Sequence, residues 1–276
     1  SVMNADDYRA YVGGTSGLIY GYVNDGFYKV EDFEYFDSKS RTWKLKEGVV
    51  DSSPLSDTPR PGNAKFKKLT PVDPNSSNPY QLTEADRTVI GNTTPKFSGG
   101  FGLNATYKGF DLSMFFNFMY DFDVFNANKV MLTTWADNHE NNFGMEVASD
   151  KRWRNFDDMG NEIRYSPELL AEFNKNATMW NPTSIGKPIS MSYAVEDGSF
   201  LRLNSATLGY TLPQGWTKKA GLNKVRFYVA GSNLFTITGY SGYDPEVDIA
   251  TGLTPNIDNN RYPRSRTYTF GAQLTF

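Results

Sequence analysis

Few residues of this 276-residue chain are of types that do chemistry, and they are thinly spread. His139 is the single histidine, within Ala136-Asp-Asn-His-Glu140. A histidine beside acids can ligate a metal or relay a proton, but alone in a loop its ordinary role is that of a solvated side chain. Asp244, Glu246 and Asp248 place carboxylates at alternate positions, a spacing open to calcium or to an acid–base pair. They sit just beyond a strand pattern, which suits fixing a loop better. Gly100-Phe-Gly102 lies inside a strand pattern with no helix after it and cannot cradle a phosphate. No nucleophile is paired with a base. Cysteine is absent, which removes disulfides and thiolate metal sites. Neither a catalytic residue nor a metal or cofactor is assigned, and the chain is read as a non-enzyme.

What the sequence carries instead is alternation. In Arg266-Thr-Tyr-Thr-Phe-Gly-Ala-Gln-Leu-Thr-Phe276, residues Tyr268, Phe270, Ala272, Leu274 and Phe276 share one face, opposite Thr267, Thr269, Gly271, Gln273 and Thr275. A strand of about 9–11 residues with that pattern fits a tilted membrane strand, lipid on one side and a wet lumen on the other. The last strand of a soluble sandwich alternates in the same way. Four more segments repeat the pattern. Residues 96–107 put Phe97, Phe101, Leu103, Ala105 and Tyr107 together. Lys108-Gly109-Phe110-Asp111 reads as a tight turn. Leu112, Met114, Phe116, Phe118 and Tyr120 then return on one face. Residues 199–211 form a strand whose parity slips near 204–206, which predicts a β-bulge. After a short connection, 213–224, the next apolar face is Val225, Phe227, Val229, Gly231, Phe235 and Ile237. Trp216 lies in that connection, where an interfacial aromatic would sit.

Composition agrees. Tyr and Phe number 17 and 20 against one histidine, while mean hydropathy is negative, as expected when apolar residues occupy alternate positions. A net charge of −3 offers no footprint for nucleic acid. No run of about 18 apolar residues exists for a membrane helix. The first residues, Ser1-Val-Met-Asn-Ala-Asp-Asp-Tyr, lack a signal peptide's charged and apolar regions; an exported protein would then have lost its signal, or the chain would begin partway through a longer one.

Connection lengths alternate too. Turns after Tyr107 and Thr211 are short, whereas 121–198 and roughly 239–265 are long. Short turns at one end and long loops at the other are the asymmetry of outer-membrane barrels, short at the periplasm and long outside. In 121–198, Pro167-Glu-Leu-Leu-Ala-Glu-Phe-Asn-Lys175 predicts a short helix after a Ser166 cap. The tryptophans Trp135, Trp153 and Trp180 argue for order there. Residues 17–28 suggest one strand pair, and 29–86 reads as poor in strands.

Several motifs resemble a known family. They are Asp86-Arg-Thr-Val-Ile-Gly-Asn-Thr-Thr-Pro-Lys-Phe97, Tyr107-Lys-Gly-Phe-Asp-Leu112, Glu196-Asp-Gly-Ser-Phe-Leu-Arg-Leu203, Thr207-Leu-Gly-Tyr-Thr-Leu-Pro213, Asn233-Leu-Phe-Thr236 and Gly242-Tyr-Asp-Pro-Glu246. Upstream, Gly17-Leu-Ile-Tyr-Gly-Tyr22, Asp25-Gly26 and Arg60-Pro-Gly62 fit in order. Together they resemble the late barrel of the SusC/RagA-type TonB-dependent transporters of Bacteroidetes, collinearly from about Val12 to Phe276. One departure is Leu69-Thr-Pro-Val-Asp-Pro-Asn-Ser-Ser-Asn-Pro-Tyr-Gln-Leu82, where many relatives carry an acidic, glycine-containing turn; a cation bound there in relatives is not expected here.

The resemblance implies an all-β fold. This chain would be the C-terminal part of a ~22-stranded antiparallel transmembrane barrel with long extracellular loops, its N-terminal plug lying elsewhere. Residues 1–95 would form a loop-and-strand region, and 96–276 the last membrane strands with the long loop. Tyr268, Phe270, Leu274 and Phe276 resemble a terminal barrel-assembly signal. The implied activity is active import of an oligosaccharide or oligopeptide at the outer membrane. Implied partners are a SusD-like lipoprotein lid, the TonB–ExbB–ExbD complex, the rest of the barrel and plug, outer-membrane lipid, and a second transporter–lipoprotein pair. Aromatic faces suit stacking on sugar rings, which makes Trp135, Trp153, Trp180 and Tyr193 candidates for contacting cargo; they would equally serve to fill the loop's own core. Two alternatives from other classes are a complete small porin-like barrel, which needs about twelve strands, and a soluble β-rich glycan-binding module, which needs polar outer faces.

Overall fold

The computed structural model describes residues 7–56, 58–134, 144–147, 151–185, 189–247, 254–260 and 262–276. Two compact units divide the chain. One gathers Ser1–Asn92, Phe125–Val195 and Ala250–Asn260; the other gathers Thr93–Val124, Glu196–Ile249 and Arg261–Phe276. This partition does not follow a linear cut at 95/96, because the middles of both long connections group with the N-terminal residues.

The second unit is built on a five-stranded antiparallel meander of β1 (Phe97–Tyr107), β2 (Phe110–Tyr120), β3 (Phe200–Thr211), β4 (Lys224–Thr238) and β5 (Thr267–Thr275), adjacent in chain order. β1 and β2 are joined by Lys108-Gly109 alone, with φ of 46° and 89°. Positive φ at both positions is what a type I′ hairpin turn demands. The turn is therefore two residues shorter than 108–111: Phe110 already pairs with Tyr107, and Asp111 with Thr106. The predicted bulge is present, since register shifts between Leu203 and Ser205 against both neighbours: Asn204 is the extra residue against β2, whereas against β4 Asn233 and Leu234 stand opposite Asn204 alone.

Register then settles which residues share a face, because directly paired residues point the same way. Leu103 pairs with Met114, Met114 with Ala206, Ala206 with Gly231, and Gly231 with Tyr268. Extended along each strand, one face collects Phe101, Leu112, Phe116, Leu208, Val229, Phe270 and Leu274. The other collects Asn104, Ser113, Asn117, Thr207, Ser232, Thr269 and Gln273. Without the bulge, Leu201 and Leu203 would fall on the polar side. Aromatics tile the apolar face across strands, with Phe101 on Phe116 at 4.9 Å and Phe110 beside Tyr210 at 4.5 Å between ring centroids. Both outer strands pair on one side only among the described residues, so the sheet is not closed.

Both short connections lie at one end of this sheet. The Thr211 N–H donates to the Gly109 carbonyl, and the Asn223 N–H to that of Thr275. Residues 214–220 coil into a helical turn, Gln214–Thr217, and a 3-10 turn, Lys218–Ala220, with Trp216 exposed.

The first unit is made of short pieces. Leu18–Gly21 pairs with Thr88–Asn92 and Tyr8–Arg9, whereas Asn24–Phe27 pairs with Ala64–Phe66. The expected 17–28 pair thus exists as two strands with different partners. Residues 29–86 are also richer in strands than predicted, holding the hairpin of Phe33–Asp37 and Thr42–Leu45 as well as Ala64–Phe66. Helix α1 (Ala127–Thr133) is capped by the Asn126 side chain, which accepts from the Lys129 N–H. Helix α2 (Pro167–Phe173) follows Ser166 with proline in its first turn, as the sequence predicts, though the serine hydroxyl donates to Glu168 instead of capping the backbone. Ile19, Phe66, Phe125, Val130, Ile185 and Met191 form the main core; Trp153, Ile163 and Leu170 form a second.

Candidate functional site

Three of the motifs singled out in the sequence, 196–203, 233–236 and 242–246, converge within the sheet unit on one buried guanidinium. Arg202 projects from β3 in an otherwise apolar run and is 0% exposed. It donates to Asn233 at 2.9 Å and to both carboxylate oxygens of Asp244, at 2.5 and 3.2 Å. Glu246 lies 3.6 Å away and is held from its other oxygen by Arg264 at 2.8 Å. Asn233, with φ of 54°, donates in turn to the Arg264 carbonyl at 2.9 Å. A buried charge is tolerated only when paired and hydrogen-bonded, and removing one partner costs about 3–5 kcal/mol. The network therefore clamps the start and end of the 239–266 connection onto the sheet. This is the loop-fixing role read for Asp244 and Glu246, and Asp248 lies outside the described residues. Sequence reasoning gave no role to Arg202, Asn233 or Arg264. The available signal was a lone arginine inside Phe-Leu-Arg-Leu, which demands an acid partner.

On the same polar face, Arg226 of β4 reaches diagonally to Asp111 of β2. Gly209 lies between them on β3, and a Cβ there would come within 2.4–2.5 Å of the two charged groups. The polar face thus carries fixed charges where the apolar face carries none. Among the described residues no helix is long and apolar enough to cross a membrane, and no cluster of three or more His, Asp or Glu could hold a metal.

In the first unit a buried carboxylate fixes the 69–82 segment. Asp86 is 0% exposed and accepts from the N–H groups of Leu69, Thr70 and Thr83, from the Thr70 and Thr83 hydroxyls, and from Lys68. Burial alone would raise its pKa, but hydrogen bonds led by those of Thr70 outweigh it and hold the carboxyl well below the usual carboxylate range.

The aromatic candidates fall as follows. Trp135 lies outside the described residues, as does His139. Trp180 is 2% exposed; its indole N–H donates to the Thr133 carbonyl, and its ring meets Tyr193 edge-on at 4.6 Å. Lys129 stands over the half-buried Tyr193 ring at 4.4 Å. Trp153 is 4% exposed and seated against Gly62, where a Cβ would clash with the indole at 2.2 Å. Gly62 also needs its φ of 89°, so the Arg60-Pro-Gly62 motif is explained by two requirements at once. Trp153 separates two cavities. One, of about 450 Å³, opens between Arg152, Arg154, Phe156, Asp158 and Arg164; the other, of about 300 Å³, lies toward Lys29 and Lys175. Trp153 lines both of these cavities and Tyr193 neither.

Comparison with known proteins agrees with this architecture. No protein-family model matches the chain. TonB-dependent receptor P3 of Formosa agariphila is 32% identical over 266 residues, 94% of this chain and 22% of that protein. TonB-dependent receptor SusC of Bacteroides thetaiotaomicron is 37% identical over 86 residues, 30% of this chain and 8% of that one. The chain spans about a fifth of the length of the curated relatives it matches over most of its own. In fold it is similar to the RagAB peptide transporter, with a TM-score of 0.62 at 23% identity over 95% of this chain and 23% of that one. The same importer in its open-open state gives 0.61 at 21% identity. An open sheet with one apolar face is what a piece of such a barrel wall should look like, and the chain belongs to the SusC/RagA family of TonB-dependent receptors, matching a C-terminal portion of them.

Proposed function

We propose that this chain is the last part of an outer-membrane importer that moves a large nutrient, an oligosaccharide or oligopeptide, into the periplasm. The observation that carries the reading is the register. Five strands, bulge included, give one face that is apolar or small throughout and carries no charge, while every charged residue of the strands lies on the other, which also holds Phe115, Met119, Phe200 and Tyr228. In water the uncharged face would be a liability; against lipid it is the stable arrangement. The free edges of β1 and β5 would pair with further strands of the same barrel, since unpaired backbone in hydrocarbon costs several kcal/mol per group. The short-turn end faces the periplasm and the long connections face outward, toward a SusD-like lipoprotein. Energy comes from TonB–ExbB–ExbD acting on a plug.

Trp135, Trp153, Trp180 and Tyr193 are retained as cargo-contacting candidates within this reading. Trp153 is the best placed, because it walls two cavities. The test is uptake by cells carrying the full-length protein, with and without TonB and with the partner lipoprotein deleted. Uptake of a defined oligosaccharide or peptide pool that vanishes on either deletion is expected. Recovery of the protein in the soluble fraction, or uptake unchanged without TonB, would refute the reading.

A further inference from the structure

We propose that the short-turn end of the sheet binds the headgroup of an anionic phospholipid; this rests on the apolar face being lipid-facing, as read above. Between Asp197 and Asp244 the sequence holds no acid, yet it holds Arg202, Lys218, Lys219, Lys224 and Arg226. At the long-connection end of the sheet, cations meet acids: Lys96 pairs with Asp121, Arg202 with Asp244 and Arg264 with Glu246. The short-turn end is different. Residues 107–111, 211–226 and 273–276 make up that end, and their one acid is Asp111, which Arg226 takes. Register places Lys224 and Arg226 together on the polar face, opposite Thr275 and Gln273. Lys108, Lys218 and Lys219 are left over. All are exposed, and their ammonium groups have no ion-pair or hydrogen-bond partner among the described residues. A carboxylate following Phe276 would offset only one of them.

The placement of Lys108 shows which side this charge serves. Its Nζ stands 5.2 Å from the centroid of the Tyr107 ring, and Tyr107 pairs with Phe110 on the apolar face. The ammonium is thus carried round the rim to the lipid side, its stem laid on apolar surface and its head lifted to the interface. A soluble partner below the barrel would not require that posture. Tyr107 and Phe110 are 70% and 50% exposed, and Tyr210 packs beside Phe110. The 213–224 connection starts next to this turn, because the Thr211 N–H donates to the Gly109 carbonyl at 2.8 Å. That connection carries Trp216, 68% exposed, two residues before Lys218. Tryptophan and tyrosine at one level mark the headgroup region of a bilayer. Unneutralised lysines at that level are complemented by lipids that bring a net negative charge.

Native mass spectrometry of the full-length protein, released from nanodiscs holding equal phosphatidylglycerol and phosphatidylethanolamine, counts the lipids it keeps. Phosphatidylglycerol should be kept over phosphatidylethanolamine by about tenfold, since each lysine near an anionic surface is worth roughly fivefold in affinity. Lys108→Gln, Lys218→Gln and Lys219→Gln together should bring that ratio down toward one, whereas the three Lys→Arg changes should preserve it. Trp216→Ala should lower retention of both lipids and leave their ratio. Lys29→Gln, Lys39→Gln and Lys46→Gln together remove the same charge from exposed positions of the first unit and should change nothing. Equal retention of the two lipids by the wild type, or a preference unaltered in the triple glutamine variant, overturns the site. Unaltered retention with reduced TonB-dependent uptake in that variant also overturns it and assigns the lysines to a periplasmic protein. Insertion into nanodiscs without a preference leaves the lipid-facing reading standing, whereas failure to insert at all removes that reading first.

Discussion

In the loop-built unit, Ile19, Phe66, Val130, Ile185 and Met191 are all fully buried, turned inward onto one another. In the sheet unit, Phe97, Tyr107, Ile237, Tyr268 and Phe270 point outward, Phe270 with 77% of its surface exposed. Both regions come from one chain of one composition, so the difference is in the solvent each is built for. The first unit obeys the rule of water-soluble proteins and closes cores around short, irregular strands. The second keeps long, regular strands that pair laterally along their length, on both sides in the three inner strands, and leaves its apolar atoms for a solvent that is itself apolar. Charge follows the same division. On the sheet, Asp111, Arg202 and Arg226 all lie on the face opposite Phe101, Phe116, Phe227 and Phe270.

The sharpest way to break this comparison is to truncate the same residue type in each region. Phe66→Ala should destabilise the first unit by about 3–5 kcal/mol, read as an earlier midpoint of proteolysis in a urea series. Phe270→Ala should leave that midpoint unchanged and alter little in the assembled protein, because lipid replaces the lost contacts. Equal effects would show that both regions bury their aromatics against protein. A charge inverts the order. Val229→Lys, near the middle of β4, should cost about 2–4 kcal/mol of insertion and deplete the outer-membrane form, whereas Thr269→Lys on the opposite face should be recovered in the membrane at near-normal level.

The two regions also differed in how far the sequence revealed them. The sheet was legible almost residue by residue, because a period of two in long strands survives any context, and even the parity slip at Asn204 was visible as a break in the alternation. The turn 108–111 was read two residues too long, since Phe110 and Asp111 resume the strand at once after a I′ turn. The loop unit was legible only at its helix, where Ser166-Pro167 announces the start. Its strands are two to five residues long and several pair across large separations, Leu18–Gly21 with Thr88–Asn92 and Phe125 with Ile257, so local pattern cannot assign their partners. The Arg202 network illustrates the same limit, since its acids lie 42 and 44 residues away along the chain.

Acid should separate the regions next. Asp86 is held below its unfolded value of about 4, so its hydrogen bonds stabilise the loop unit fully above that pH. The contribution is lost as pH falls below about 4 toward the depressed folded value. Asp86→Asn should cost about 1–3 kcal/mol at pH 7 by leaving some of the six donors unpaired. The wild-type advantage should then shrink as the pH drops from 5 to 3, measured by the same proteolysis midpoint. A pH-independent gap would mean that the carboxylate charge is immaterial.

The smallest effect tests what fixes the register of the sheet. If the type I′ turn contributes, Lys108→Asn should help, because asparagine tolerates positive φ better than lysine and Asn-Gly is the preferred pair for this turn. The gain should stay under ~1 kcal/mol, seen as faster folding of the full-length protein into detergent micelles with unchanged unfolding. Loss of the gain in bilayers would assign the register to the lipid-facing pattern instead. A one-residue slip there would turn Phe97, Phe101, Phe110, Phe116 and Phe118 toward the polar side, which is a far larger penalty than any turn can impose.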